Sequence, residues 1–342
     1  MSIVSGAQRA LNADVRLLFA AVLLAGCART AAVAFESSGP SLTIHRPALY
    51  PETIEYDRTR DTFLVSSFRE GAIYAVDRQG KATILVNDER LCSVLGIAVD
   101  AERGRLWAVN SDFASSLKPS AAGPKQLAAV GVYDLATGKA LDYVDLSPLS
   151  SGPHLLNGIA LDAGGNAYVT DSFSPNIYKI DAGGHAGVFL TDPRLAGEGI
   201  SLNGLVVHPD GYLLVIKKSD GTLFKVPLAN PSTFTKVEIA TQLVGGDGVL
   251  LAGDKNLVII ANQVPGKASN AAFSLFSEDG WATARVRATQ PLGDVYPTTA
   301  VVRDGTLYVI HSKLNELIQS PPDQKNRWQV EATIRAIGKV AL

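Results

Sequence analysis

Glu52, Leu95, Asn157, Asn203, Asp247 and Thr298 stand at one offset in a recurring phrase of this sequence. Each comes two positions before an apolar run, in Glu52-Thr53-Ile54, Leu95-Gly96-Ile97, Asn157-Gly158-Ile159, Asn203-Gly204-Leu205, Asp247-Gly248-Val249 and Thr298-Thr299-Ala300. Four of them, Glu52, Asn157, Asn203 and Asp247, are oxygen donors, with no His or Cys among them. Two carboxylates and two amides suit a hard divalent ion, Ca²⁺ or Mg²⁺, better than Zn²⁺. The carboxylates would balance its charge. Ca²⁺ takes ~6–8 oxygens, so four protein ligands leave places for water and a substrate oxygen. That open coordination is what a Lewis-acid catalyst needs. Asp247 is then both ligand and candidate catalytic base, with Glu52 beside it.

Such residues meet only if the elements that carry them converge. The six starts are separated by 43, 62, 46, 44 and 51 residues. Each opens a unit of short runs rich in Val, Ile, Thr and aromatics, bounded by Gly, Asp and Asn. Four-stranded units repeating every ~40–50 residues mark a β-propeller. The fold class is all-β, a six-bladed propeller over 48–342, preceded by a leader at 1–34 and a linker at 35–47. The innermost strand of each blade lines the central channel, so six leading residues face one another across its mouth. The long interval reflects an insertion at 113–128, a lid if it lies over the mouth. A strand near 41–46 is expected to close the ring against the last blade, whose third strand is read at 328–332. Residues ending the strands that run back to the same face include Asp171, Lys217, Asn262 and His311. These, with His154, are the expected substrate rim.

Asn-Gly and Asp-Gly are also turn formers, so each of Asn157, Asn203 and Asp247 alone reads equally as a turn residue. Glu52 has no Gly after it, and turn chemistry does not account for it. Other catalytic patterns are missing: there is no His-Glu-x-x-His, phosphate-binding loop or dinucleotide fingerprint, and Gly199-Ile-Ser-Leu-Asn203 lacks the second Gly of a nucleophile elbow.

The 342 residues are 46% hydrophobic and 19% charged, with 31 Gly and 17 Pro. This is a turn-rich chain with ample core material. A net charge of −2 implies no basic face for nucleic acid; the expected partner is a small-molecule substrate. Near the start, Arg9 and Arg16 precede the apolar run 17–24, which has the length of a secretory segment and is too short to span a bilayer. Leu24-Ala25-Gly26-Cys27 follows, resembling a bacterial lipoprotein box with Cys27 as the lipidated residue. The expectation is an exported protein, periplasmic or tethered to the envelope through Cys27. Ordinary signal cleavage after Ala34 is the alternative. Cys92 is then left alone and reads as a buried structural thiol.

The phrases Leu202-Asn-Gly-Leu-Val-Val-His-Pro-Asp-Gly211, Gly246-Asp-Gly248 and Tyr168-Val-Thr-Asp-Ser172 resemble the senescence-marker-protein, gluconolactonase and luciferin-regenerating-enzyme family over about 48–335. Calcium-dependent phosphotriesterase and paraoxonase-like propellers share its metal plan. The resemblance implies a catalytic divalent ion, Ca²⁺ or another hard metal, held by Glu52, Asn157, Asn203 and Asp247. It implies a hydrolase, foremost a lactonase or esterase. A phosphotriesterase on the same metal, and a non-enzymatic propeller with a structural ion, are the alternatives. A metal-free lyase of the strictosidine-synthase kind is disfavoured by the four-residue set. Leu95 stands where paraoxonase-like members carry a His base, so a His-driven mechanism is not implied.

Overall fold

The computed structural model describes residues 33–36, 40–46, 49–262, 270–320 and 331–340. Short strands dominate because the sequence supplies β-branched and aromatic runs of four to eight residues between Gly, Asp and Asn turns. They form six antiparallel sheets, which are the six expected blades. The inner strands are Ile54–Asp57, Ser93–Asp100, Leu156–Leu161, Leu202–His208, Gly246–Leu251 and Pro297–Arg303. In each blade the chain then steps outward, strand by strand.

Burial follows that order. In blade five the second strand, Asn256–Ala261, is buried at every position, because each face packs on a neighbouring blade. The outermost strand, Arg285–Pro291, alternates exposed and half-buried residues, the period-two pattern of a strand with one wet face. The core therefore lies between blades. Tyr212, Leu214 and Ile216 of blade four pack with Ile259, Ala261 and Phe273 of blade five. Ile54, Phe63 and Val65 of blade one pack with Val301, Ile310 and Ile334 of blade six. Each large apolar side chain so buried contributes about 1.5–3 kcal/mol.

Ring closure uses more of the N-terminal segment than expected. Ser41–Thr43 pairs antiparallel with the 333–335 end of Thr333–Val340. Val33–Phe35 pairs with the other end of the same strand. Both complete blade six from outside and cover its edge, so the propeller draws in residues read as leader and linker. The third strand of blade six is Thr333–Val340, not 328–332, of which 328–330 lie outside the described residues. Cys27 also lies outside them. Among the described residues there is one α-helix, Leu314–Gln319, and no helix long and apolar enough to cross a membrane.

Candidate active site

Glu52 precedes its strand by two positions, as expected; from blade two to blade six the leading residues lie within theirs. At each, the ladder slips: between Val94 and Ile97, Leu156 and Ile159, Leu202 and Leu205, Gly246 and Val249, and Pro297 and Ala300. Asn-Gly and Asp-Gly are thus β-bulges, which bend a strand and re-aim a side chain, rather than hairpin turns. The glycines answer to close approach. A Cβ on Gly158 would lie 2.7 Å from the Asn203 carbonyl oxygen, and one on Gly248 2.6 Å from that of Thr298. Gly96 and Gly204 are as tightly faced by the carbonyls of Asn157 and Asp247. Each blade's leading carbonyl rests on the preceding blade's glycine, and this contracts the ring. At the closure, Thr299 stands in the glycine position, and its hydroxyl donates to the Glu52 carbonyl at 3.3 Å and accepts from the Ile54 N–H at 3.0 Å.

Glu52, Asn157, Asn203 and Asp247 are brought together and all are buried. They form a waist shared by two cavities. One is a channel of about 330 Å³ between the inner strands, reaching down to Glu55, Val99, Leu161, Val207 and Leu251. The other, about 40 Å³, is closed over by Phe68, Phe113, Ile200, Tyr296, Leu314 and Ile318. Phe113, at the start of the insertion, is its contribution to this roof. Beyond it the insertion runs over blade one, where the Leu117 N–H and Ser116 hydroxyl donate to the Arg69 carbonyl, and returns to the entry of blade three, where the Lys125 carbonyl accepts the His154 N–H.

A second ring surrounds the first, and it holds Lys218, the neighbour in sequence of the Lys217 expected at the rim. The Lys218 ammonium sits among the leading side chains. It donates to Asp247 Oδ2 at 2.5 Å and to Asn262 Oδ1, and lies 5.7 Å from the Tyr296 ring. Asn262 Nδ2 donates to the same Asp247 Oδ2 at 2.6 Å and to the Pro297 carbonyl at 3.0 Å. Burial opposes the ammonium's charge, but the Asp247 carboxylate and Tyr296 outweigh it, and its pKa lies above the ordinary lysine value. Glu52 is pushed up to about 8, first by burial and then by the Asp247 charge; its Oε2 accepts the Thr53 hydroxyl at 2.7 Å. Asp247 Oδ1 and Thr298 Oγ1 are buried without a hydrogen-bond partner.

Register explains which rim residues arrive. Asp171, Lys217 and His311 lie opposite Leu156, Leu202 and Pro297. In blade five that place belongs to Ala261, opposite Gly246. Asn262 is therefore one step further on, in the column of Ser172, Lys218 and Ser312. Because a one-residue step turns a strand side chain to the other face, Lys218 and Asn262 reach Asp247, whereas Asp171, Lys217 and His311 do not. Lys217 donates to the Arg194 carbonyl at 3.2 Å and pairs with Asp220 at 3.0 Å. His311 Nδ1 faces Thr333 Oγ1 at 3.2 Å. His154 Nδ1 is 2.8 Å from Asp171 Oδ2, and Asp171 Oδ1 accepts the Leu155 N–H at 2.9 Å. This buried pair anchors the entry to blade three and does not line the small cavity. Aligning second strands on Val169, Val215 and Ile259 puts Ser172, Lys218 and Asn262 in one column, a signal the sequence holds.

The donor set that the resemblance implies is met here by an ammonium of the chain's own. Two carboxylates and two amides converge, which is the set expected. Asp247 Oδ2 already accepts two donors, one of them a cation inside the ring. Cys92, as expected, is a buried free thiol, with burial raising its pKa to about 12, far from the thiolate that reactivity needs.

No protein-family model matches the sequence, and no curated protein matches it. Solved structures do match. The major allergen Mala s 1 of Malassezia sympodialis superposes with a TM-score of 0.68 at 18% identity, over 88% of this chain and 96% of that one. The luciferin-regenerating enzyme gives 0.60 at 14%, over 89% and 98%. A structure provisionally named a gluconolactonase gives 0.59 at 13%, over 90% and 96%. The chain is a six-bladed β-propeller with the fold of the luciferin-regenerating enzyme and the gluconolactonase-like proteins, as the sequence resemblance implies.

Proposed function

We propose that this propeller is a hydrolase of small, largely apolar esters or lactones, working where its six inner strands begin. The observation that carries this is the Lys218–Asp247 pair: a buried carboxylate with one oxygen unpartnered, held against an ammonium at the floor of an apolar cavity. An ammonium has three N–H donors, and two are engaged here by protein. The third is left for a substrate carbonyl oxygen. Asp247 Oδ1 is placed to accept a proton from water. The water oxygen then bonds to the carbonyl carbon, and the resulting oxyanion is held by Lys218. Collapse breaks the acyl–oxygen bond, and the leaving alkoxide takes the proton back from Asp247. The apolar roof excludes bulk water, which strengthens both interactions.

Asp247→Asn removes the base while keeping the shape. Its kcat on an aryl-ester and lactone panel should fall by about 10²–10⁴-fold. Retained activity in Asp247→Asn, with a purified wild type that is active, refutes the assignment. The small cavity favours a second reading, a ligand-binding propeller without turnover, because about 40 Å³ holds only a few waters. In that case tight binding of an apolar ligand is found and no substrate of the panel is turned over.

Of the two processing sites, cleavage before Cys27 leaves the strand Val33–Phe35 whole, whereas cleavage after Ala34 divides it. An exported protein carrying lipid on Cys27 is therefore the reading we favour. Labelled palmitate incorporated by the wild type and lost in Cys27→Ala tests it.

A further inference from the structure

We propose that the centre of this propeller takes up no divalent metal ion, because the chain supplies the cation itself in the Lys218 ammonium. Asp247 would have to be a principal ligand, yet its Oδ2 receives Lys218 Nζ at 2.5 Å and Asn262 Nδ2 at 2.6 Å. Bidentate coordination is thereby closed. Asn262, which lies in the second ring, turns its carbonyl oxygen to Lys218. A hard ion of ~6–8 oxygens would thus share its first shell with a like charge, in a site too buried for water to screen the repulsion. Lys218 cannot readily withdraw: its side chain is buried, in the neighbourhood of the Tyr296 ring, and Asp247 and Asn262 would each lose a charged donor.

The same geometry says what reverses the exclusion. Shortening Lys218 removes the competing charge and frees Asp247 Oδ2, while Glu52, Asn157 and Asn203 stay at the waist. Lys218→Ala should turn the site into the hard-ion site that the four donors alone suggest. Lys218→Gln, which keeps the stem and drops the charge, should do so more weakly.

The test is thermal unfolding and elemental analysis, with calcium chloride, magnesium chloride and a chelator as probes. The purified wild type should carry well under one equivalent of divalent metal. Its Tm should move by less than about 1 °C with millimolar calcium, magnesium or chelator, as linkage requires when nothing binds the native state. Lys218→Ala should gain a calcium-dependent rise of several degrees. The proposal is overturned if the wild type holds a full equivalent of metal, or if calcium raises its Tm. It is also overturned if folded Lys218→Ala and Lys218→Gln are both as indifferent to calcium as the wild type. Should neither variant fold, the wild-type measurements decide. The readout is binding, so a protein without esterase activity can pass and an active one can fail.

Discussion

Replacing Lys218 with Met removes the ammonium and keeps most of the hydrophobic stem. Asp247 Oδ2 is left with the Asn262 amide as its remaining donor, and Asn262 Oδ1 loses its donor altogether. Both side chains are buried, Asn262 at 0% and Asp247 at 3% relative exposure. Breaking a buried ion pair from one side costs about 3–5 kcal/mol, because the surviving charge is uncompensated. That is a large part of the ~5–15 kcal/mol by which folded domains are stable. For a large domain it should lower Tm by about 6–10 °C. Replacing Asp247 with Asn in the same chain neutralises the orphan and keeps its shape. The double variant Lys218→Met/Asp247→Asn should therefore be more stable than the sum of the single effects predicts, by about 2–3 kcal/mol. Urea unfolding followed by tryptophan fluorescence is a suitable assay, since Trp281 is fully buried. If the two substitutions add to within about 0.5 kcal/mol, the range for independent sites, then Lys218 and Asp247 are not a coupled pair. The proposed catalytic arrangement would fall with it.

The remaining predictions probe the ring, its closure and its buried histidines. Gly248→Ala drives a Cβ against the Thr298 carbonyl and the Thr299 Cα, 2.6 and 2.7 Å away; backbone does not yield as a side chain does, and a loss of about 1–3 kcal/mol or more is expected in urea unfolding. Removing residues 1–43 takes away both strands that cover Thr333–Val340. The truncated chain should show a lower Tm and concentration-dependent aggregation by light scattering. His311 is held neutral, its pKa lowered to about 4 by burial and then by Arg335. Its contribution is full above about pH 6.5 and is lost as pH falls toward 4, by up to about 3 kcal/mol, so His311→Asn should flatten the acid limb of stability against pH. His154 is the opposite case. The Asp171 hydrogen bond raises its pKa against burial, so its stabilisation is present below about pH 6.5 and fades as pH rises through its folded pKa. His154→Asn should flatten that alkaline fall.

Fold and waist were legible in the sequence for a local reason. A blade is a short-range object: four strands and their turns lie within one stretch of chain, so alternation and Gly-Asp-Asn punctuation report it directly. Counting six repeats then required the leading residues to meet, and Glu52, Asn157, Asn203 and Asp247 do. Less legible was the difference between a turn and a bulge, because Asn-Gly serves both. The glycine at 158 is explained by the Asn203 carbonyl in the next blade, a contact between residues 45 positions apart. Asp171, Lys217 and His311 are bonded away from the leading side chains, a matter of pairing register that strand ends alone do not report. Asn262 meets Asp247 because blade five ends its second strand one position earlier, at Ala261.

By itself, then, the sequence determined an all-β ring of six blades and the oxygen donors at its centre. Both follow from repeats and strand periodicity, which are properties of neighbours along the chain. Only the tertiary structure decided what those donors face. Lys218 lies 29 residues from Asp247 and 44 from Asn262. Side-chain direction and reach, set by a bulge in one blade and the register of the next, place its charge within the ring. Which side chains meet at the centre is therefore a property of the assembled ring, and no single repeat contains it.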